Sequence, residues 1–431
     1  MADYTAEAKK KLRGRIPVPG DKSISHRFVM LSSLAEGTSR AKNILRGEDC
    51  VSTMNAFRAM GVRITDTDKE CSVSGVGLYG LTEPRDALYL GNSGTTMRLL
   101  TGILAGQRFT TVLTGDDSLS RRPMDRVVVP LRQMGAKVTG TGERLTPPLR
   151  IEGQPLTGVC HHERIGSAQV KSALLLAGLY AQGQTTVIEE KPSRDHTERM
   201  LAAYGAAFTK DGSRLTLDPS AWLTPLDNVF VVPGDISSAA FFIVAALIVP
   251  GSEIVLKDVC LNPTRTGLLD VLGRMGADIT ITEKQSQGEP FGDLLVKTSR
   301  LRGTTVPREA QPFLIDELPV LMIACALAEG ESVIEQAAEL RVKETDRIAS
   351  MSEGLQAIGA VVAVDGDTVR ITGVERLRGG ASVMSYGDHR TAMSFIVAGL
   401  AAQEPITVRD VQCVQTSYPQ FFDHLHMIRG R

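Results

Sequence analysis

The most restrictive feature of this 431-residue chain is a hidden repeat. Two sequence patterns alternate along it. In the first, an apolar stretch rich in Ala and Leu ends in a turn-forming segment and runs into a β-like stretch. Copies begin at Phe28 (FVMLSSLAEGTSRA), Met97 (MRLLTGILAGQRFTTV), Ser172 (SALLLAGLYAQGQTTV), Ala239 (AAFFIVAALIVPGSEIV), Leu318 (LPVLMIACALAEGESV) and Thr391 (TAMSFIVAGLAAQEPITV). Each reads as a buried helix, stopped by Gly, Pro or a polar turn, then a strand. In the second pattern a helix ends in an apolar–Gly pair before a strand: AFRAMGVRIT, LRQMGAKVTG, LAAYGAAFTK, LGRMGADITI and LQAIGAVVAV. Their glycines, Gly61, Gly135, Gly205, Gly276 and Gly359, recur roughly every 70 to 80 residues. Glycine there suits a left-handed helix end. A weaker sixth copy is the final FFDHLHMIRG, ending at Gly430.

The chain therefore reads as six α/β units, each with two helices and several strands. One unit is too small to bury a wholly apolar helix; three packed around such helices make a domain, and six make two. The length also exceeds what one ordinary core holds. The natural divide lies near LDNVFVVPGDISS, giving domains of residues 17–231 and of residues 1–16 plus 232–431, with the N-terminal segment pairing with the second half.

Composition narrows the function classes. The formal net charge is −1, so no global basic field attracts nucleic acid. The six cysteines stand far apart, form no CxxC pair and read as reduced structural thiols. No Cys/His spacing suggests a metal. The start, MADYTAEAKKKLRGR, is too polar for a signal peptide, and the longest apolar run, from Ala239 to Pro250, is too short to span a bilayer. A cytoplasmic protein is expected.

The informative residues precede the apolar helices: PGDKSISHR, GNSGTTMR, GSAQVKS, PGDISS, IDELP and YGDHR. Each supplies an Asp, Asn or Ser as a candidate N-cap. Four carry a cation in or near the first turn, among them Lys22, Arg27, Arg98, Lys171 and Arg390. A cation is unfavourable at a helix start, which already carries partial positive charge, unless an anion sits there too. Arg121 and Arg122, Arg194, Lys343 and Arg347 add to the count, so the pattern points to substrates bearing phosphates and carboxylates. Asp316 and Glu344 lie among these cations, a pairing suited to accepting one proton and donating another. His26 and His389 each precede an Arg at a helix start; His161, His162, His424 and His426 read as surface residues.

These segments closely resemble the 5-enolpyruvylshikimate-3-phosphate synthase family, in order and nearly end to end: VPGDKSISHR, GNSGTTMRL, SLSRRPMD, SAQVKSALL, RDHTE, NPTRTG, LIDELP, RVKETDRI, GDHRTAMS and TSYPQFF. GDKS, SAQVK, RDHTE and NPTR look like the class II branch, often associated with glyphosate tolerance. The resemblance implies six βαβαββ units in two domains, each an inverted α/β barrel, that close on the substrates. It implies a monomer without metal or organic cofactor that joins phosphoenolpyruvate to the 5-hydroxyl of shikimate 3-phosphate. By the same resemblance, Lys22, Ser23, Arg27, Ser167, Ala168, Gln169, Arg194, Asp316 and Lys343 contact shikimate 3-phosphate. Lys22, Gly94, Arg122, Gln169, Arg347 and Arg390 contact phosphoenolpyruvate. Asp316 is implied as the proton acceptor and Glu344 as the group that protonates the vinyl carbon, with Lys22 assisting.

Two departures stand out. Thr416 occupies the place of a class I lysine, and Gly94 is retained where class II tolerance is linked to Ala. Two alternatives stay open. One is a UDP-N-acetylglucosamine enolpyruvyl transferase, which typically shows a Lys-Asn pair and a loop Cys or Asp; here Ser23 follows Lys22, and no Cys lies between Cys71 and Cys160. The other is a non-catalytic phosphosugar-binding protein.

Overall fold

The structure, a computed structural model, describes residues 2–219, 222–284 and 288–428. Its elements follow the repeat. The wholly apolar stretches form helices α1 (Lys22–Leu34), α3 (Gly94–Ala105), α5 (Ala168–Gly178), α7 (Ile236–Ile248), α9 (Leu318–Ala326) and α11 (His389–Gly399). Between them run α2 (Glu48–Ala59), α4 (Asp125–Gln133), α6 (His196–Ala203), α8 (Gly267–Arg274) and α10 (Arg347–Ala357). In α7 every residue from Ile236 to Leu247 is buried, as a helix apolar all round must be. In α8 burial is confined to Gly267, Leu268, Val271 and Leu272, the stripe of an amphipathic helix.

Five four-stranded sheets share one order. In each the second strand follows an apolar helix and pairs in parallel with the first, which in three of the five directly precedes that helix; the second helix leads to an antiparallel hairpin, whose later strand pairs with the second. In the second repeat these strands are Leu88–Tyr89, Thr110–Thr114, Thr146–Glu152 and Lys137–Thr141 across the sheet. The first repeat takes its opening strand from Phe230–Val231, and the fourth takes its own from Arg13–Pro17. The sixth sheet has three strands, Tyr4–Ala6 pairing antiparallel with Ile406–Arg409, beside Ser382–Met384.

Gly61, Gly135, Gly205, Gly276 and Gly359 all have φ between 79° and 95°, the left-handed backbone expected where the second helix of each unit stops. Gly430, of the weaker sixth copy, lies outside the described residues. The described residues divide into two compact units: residues 20–232 together with Gly288 and Glu289, and the remainder. Within the first, α3 packs on α5; within the second, α7, α9 and α11 pack on one another.

Two expectations need correction. The cap is a side chain for α1, α3, α5, α7 and α11: Asp21, Ser93, Ser167, Asp235 and Asp388 each accept a backbone N–H. At α9 the residue before the helix is Glu317, and its side chain makes no such bond. His424 is buried, not superficial, with its Nδ1 2.8 Å from the Tyr418 hydroxyl. Among the described residues, no helix is long and apolar enough to cross a membrane.

Candidate active-site residues

In the unit of residues 20–232, three apolar helices open with the residues of interest. Lys22, Ser23 and Arg27 lie on α1, Gly94 and Arg98 on α3, and Ala168 and Gln169 on α5, directly after the cap Ser167. Side chains knit these starts together. Arg98 Nη1 donates to Gln169 Oε1 at 2.8 Å, and Gln169 Nε2 donates to Thr95 Oγ1 at 3.1 Å. Arg122 follows a short turn and donates from Nη1 to the Asn92 carbonyl at 3.4 Å and from Nη2 to Ser118 Oγ at 3.3 Å. A methyl group on Gly94 would lie 2.9 Å from Arg98 Nη1 and 3.3 Å from Arg122 Nη1. Gly94 thus lets two guanidiniums come close to the start of α3.

Arg27 is 4% exposed. Its Nε donates to Thr197 Oγ1 at 2.6 Å, Nη2 to Ser172 Oγ at 2.8 Å, and Nη1 to the Ser23 carbonyl at 2.9 Å. Burial pushes Arg27 down to about 10, and burial followed by the neighbouring Arg122 and Arg126 does the same to Arg98; both stay cationic at neutral pH. Lys22 is half-buried, its Nζ 3.3 Å from Asp49 Oδ2. Arg194 is half-buried in the irregular segment before α6.

Lys171, counted above among the substrate-facing cations, has a different place. Its Nζ is wholly buried, 2.6 Å from Glu198 Oε1 and 3.0 Å from Glu189 Oε2. Its charge is spent on two internal carboxylates. His26 is likewise internal: Nδ1 lies 2.7 Å from Thr53 Oγ1, which is 2.6 Å from Thr96 Oγ1, and burial pushes the imidazole down to about 4. It ties α1, α2 and α3 together as a neutral ring.

In the other unit, Arg347 forms the centre of an acidic group. It is 1% exposed. Nε lies 2.8 Å from Asp388 Oδ2, Nη2 is 2.7 Å from Glu344 Oε2, and Nη1 is 3.7 Å from Asp316 Oδ1. Nη1 finds no hydrogen-bond partner among the described residues. Arg390 holds Asp316 from the other side: Nη1 donates to the Asp316 carbonyl at 2.9 Å, and Nη2 lies 3.7 Å from Oδ2. Lys343 Nζ is 3.3 Å from Glu339 Oε1. Burial works to raise the Glu344 carboxyl, but Arg347, then His389 and Arg390, outweigh it and hold it at about 2. Glu344 is therefore a carboxylate in the resting protein.

Sequence reasoning missed residues that hold the buried helix starts in place. Asp388 both caps α11 and grips Arg347; only its capping role was legible, in YGDHR. Glu289, whose Oε1 lies 2.8 Å from the buried His196 Nδ1, is 93 residues away in sequence and gave no signal.

A six-repeat α/β protein, with cations grouped at buried helix starts in each unit, is the class that fold and geometry define. A family profile described as EPSP synthase (3-phosphoshikimate 1-carboxyvinyltransferase) matches residues 6–425. A Geobacter sulfurreducens protein named 3-phosphoshikimate 1-carboxyvinyltransferase is 52% identical over 422 residues, 98% of each chain. The solved EPSP synthase of Acinetobacter baumannii superposes with a TM-score of 0.91 at 46% identity, covering 99% of this chain and 97% of that one. An enolpyruvyl transferase from Streptomyces tendae, 18% identical with a TM-score of 0.79, shares the fold. The chain belongs to the EPSP synthase family.

Proposed function

We propose that the protein transfers the enolpyruvyl group of phosphoenolpyruvate to the 5-hydroxyl of shikimate 3-phosphate and releases inorganic phosphate. The observation that carries this reading is the family membership over nearly the whole chain, joined to cations at the helix starts of both units. We assign shikimate 3-phosphate to Lys22, Ser23, Arg27, Ser167, Ala168, Gln169, Arg194, Asp316 and Lys343. Phosphoenolpyruvate is assigned to Lys22, Gly94, Arg122, Gln169, Arg347 and Arg390. Glyphosate, an anion with a phosphonate and a carboxylate, suits the latter cations. The protein is proposed to act as a cytoplasmic monomer, its domains corresponding to the two compact units.

The chemistry follows from where charge appears. Protonation of the phosphoenolpyruvate methylene makes C2 electrophilic, and the 5-oxygen attacks it as its proton passes to Asp316. The tetrahedral ketal then loses phosphate while the methyl group returns its proton. Arg122, Arg347 and Arg390 stabilise carboxylate and phosphate as charge moves, and Lys22 steadies the departing phosphate. Glu344 handles the methyl proton. Since its resting carboxyl lies at about 2, it gains the proton only once a bound anion has drawn off part of the Arg347 and Arg390 field.

Mixing the protein with both substrates is expected to release phosphate stoichiometrically with phosphoenolpyruvate consumed, and neither substrate alone should do so. Release without shikimate 3-phosphate, or none with both, would reject the reading. Gly94→Ala provides a second test. The added methyl displaces the ends of Arg98 and Arg122, and the backbone there is not left-handed. The KM for phosphoenolpyruvate should rise ~10-fold, about 1.4 kcal/mol, with thermal stability unchanged. An unaltered KM would remove Gly94 and Arg122 from that pocket.

A further inference from the structure

The NPTRTG segment has no role in the assignments above, yet its side chains are closely hydrogen-bonded. Asn262 is fully buried, and its Oδ1 accepts the Thr264 backbone N–H at 2.9 Å and the Thr264 hydroxyl at 2.8 Å. The Arg265 N–H donates to the Asn262 carbonyl at 2.8 Å. This tight turn directs the Arg265 side chain inward, where it is 3% exposed. There Nη2 donates to Ser237 Oγ at 2.7 Å and lies 3.2 Å from Asp235 Oδ1 and 3.8 Å from Glu317 Oε1. Ser237 Oγ in turn donates to Glu317.

Glu317 immediately follows Asp316 and is itself 1% exposed. As the residue before α9 it makes no cap bond of its own, because its carboxylate is committed to Ser237 and Arg265. The same segment touches the Asp316 turn a second time. A Cβ on Gly267 would lie 2.9 Å from Phe313 Cβ and 3.1 Å from the Phe313 carbonyl carbon and oxygen. Backbone thus packs on backbone three residues before Asp316. Asp316 is then pinned on three counts: its own carbonyl by Arg390, its successor by Arg265, and the preceding chain by Gly267.

We propose that Arg265 is a positioning residue for Asp316. It fixes the Asp316 turn through Glu317, and so sets the carboxylate's direction between Arg347 and Arg390 without touching substrate. The proposal rests on Asp316 being the proton acceptor assigned above. A buried cation shared by two carboxylates and a hydroxyl holds backbone position more firmly than a neutral side chain, and small misplacements of an acid or base are costly in turnover.

The test compares Arg265→Gln, Asp316→Asn and the double variant in phosphate release. Turnover is expressed per binding site, the sites counted by calorimetric titration with shikimate 3-phosphate, so that unfolded protein does not lower it. Arg265→Gln should reduce kcat ~10- to 100-fold, with the KM for phosphoenolpyruvate changed by no more than about threefold. Arg265→Lys, which keeps the charge, should recover part of the loss. The double variant should be no more than about threefold slower than Asp316→Asn, because the two act through one group. Should Arg265→Gln fail to fold, Ser237→Ala removes the hydroxyl linking Arg265 to Glu317, and should show a kcat loss that likewise vanishes in the Asp316→Asn background. Multiplying losses in either double variant, or wild-type turnover in Arg265→Gln beside a slow Asp316→Asn, would overturn the inference alone. Wild-type turnover in Asp316→Asn would overturn the assigned role of Asp316 and the inference together.

Discussion

Asp316→Asn is expected to lower kcat by ~10²- to 10⁴-fold, the span usual for losing a positioned acid or base, while the KM for phosphoenolpyruvate stays within about threefold. The substitution keeps the shape of the side chain and removes its charge and its capacity to take a proton. Binding should survive, because the neighbours that hold the turn do not depend on the Asp316 carboxylate. Arg390 grips the Asp316 backbone carbonyl, which Asn retains, and Arg347 remains bonded to Asp388 and Glu344. The kinetic loss should therefore appear in turnover and not in affinity. Steady-state phosphate release, with both substrates varied, measures the two separately. A variant with kcat within about tenfold of wild type would make Asp316 a binding residue only.

Lys171→Met should destabilise the protein by ~3–5 kcal/mol. Lys171 Nζ is wholly buried, and its two partners, Glu189 and Glu198, have side chains only 8% and 5% exposed. Methionine fills the volume but leaves two carboxylates without their cation. The deficit should also depend on pH, with a definite sign. Burial already raises the Glu198 carboxyl above its ordinary 4.5, against the pull of Lys171. Removing Lys171 raises it further. A carboxyl raised on folding makes the folded state the better proton binder, so its ionisation costs nothing below the unfolded value and progressively more as pH climbs through the folded one. The variant's deficit relative to wild type should thus be smallest near pH 4.5 and grow towards neutrality. Chemical unfolding at several pH values measures it; a deficit of less than about 1 kcal/mol at neutral pH would show that the pair is not carrying the charge balance. Lys171→Arg, which keeps a cation there, should lose less.

These two variants also separate what local sequence announces from what it hides. Lys171 and Lys22 look alike in sequence, each a cation at the opening of an apolar helix. Four residues past its cap, Ser167, Lys171 has turned into the interior to meet Glu189 and Glu198. Lys22 directly follows its cap, Asp21, and remains half-buried beside Asp49. Helix phase alone gives part of this difference, but the partners come from a strand end and from α6, and no local rule names them. Glu344 and Asp388 differ in the same way. Glu344 attracts attention as an acid within RVKETDR, whereas Asp388 reads only as a cap, and the packing of α10 against α11 makes it the principal anchor of Arg347.

The sequence by itself determined the repeated architecture: six apolar helices, five left-handed glycines at a nearly constant interval, and caps of Asp or Ser at five of the six helix starts. It could do so because helix periodicity, capping and glycine's tolerance of positive φ act within a few residues along the chain. Only the tertiary structure decided which polar side chains meet. Arg347 with Asp388, Arg265 with Glu317, and His196 with Glu289 are pairs separated by 41, 52 and 93 residues. Burial, not sequence proximity, chose them, because an ion withdrawn from water requires a partner wherever the fold brings one.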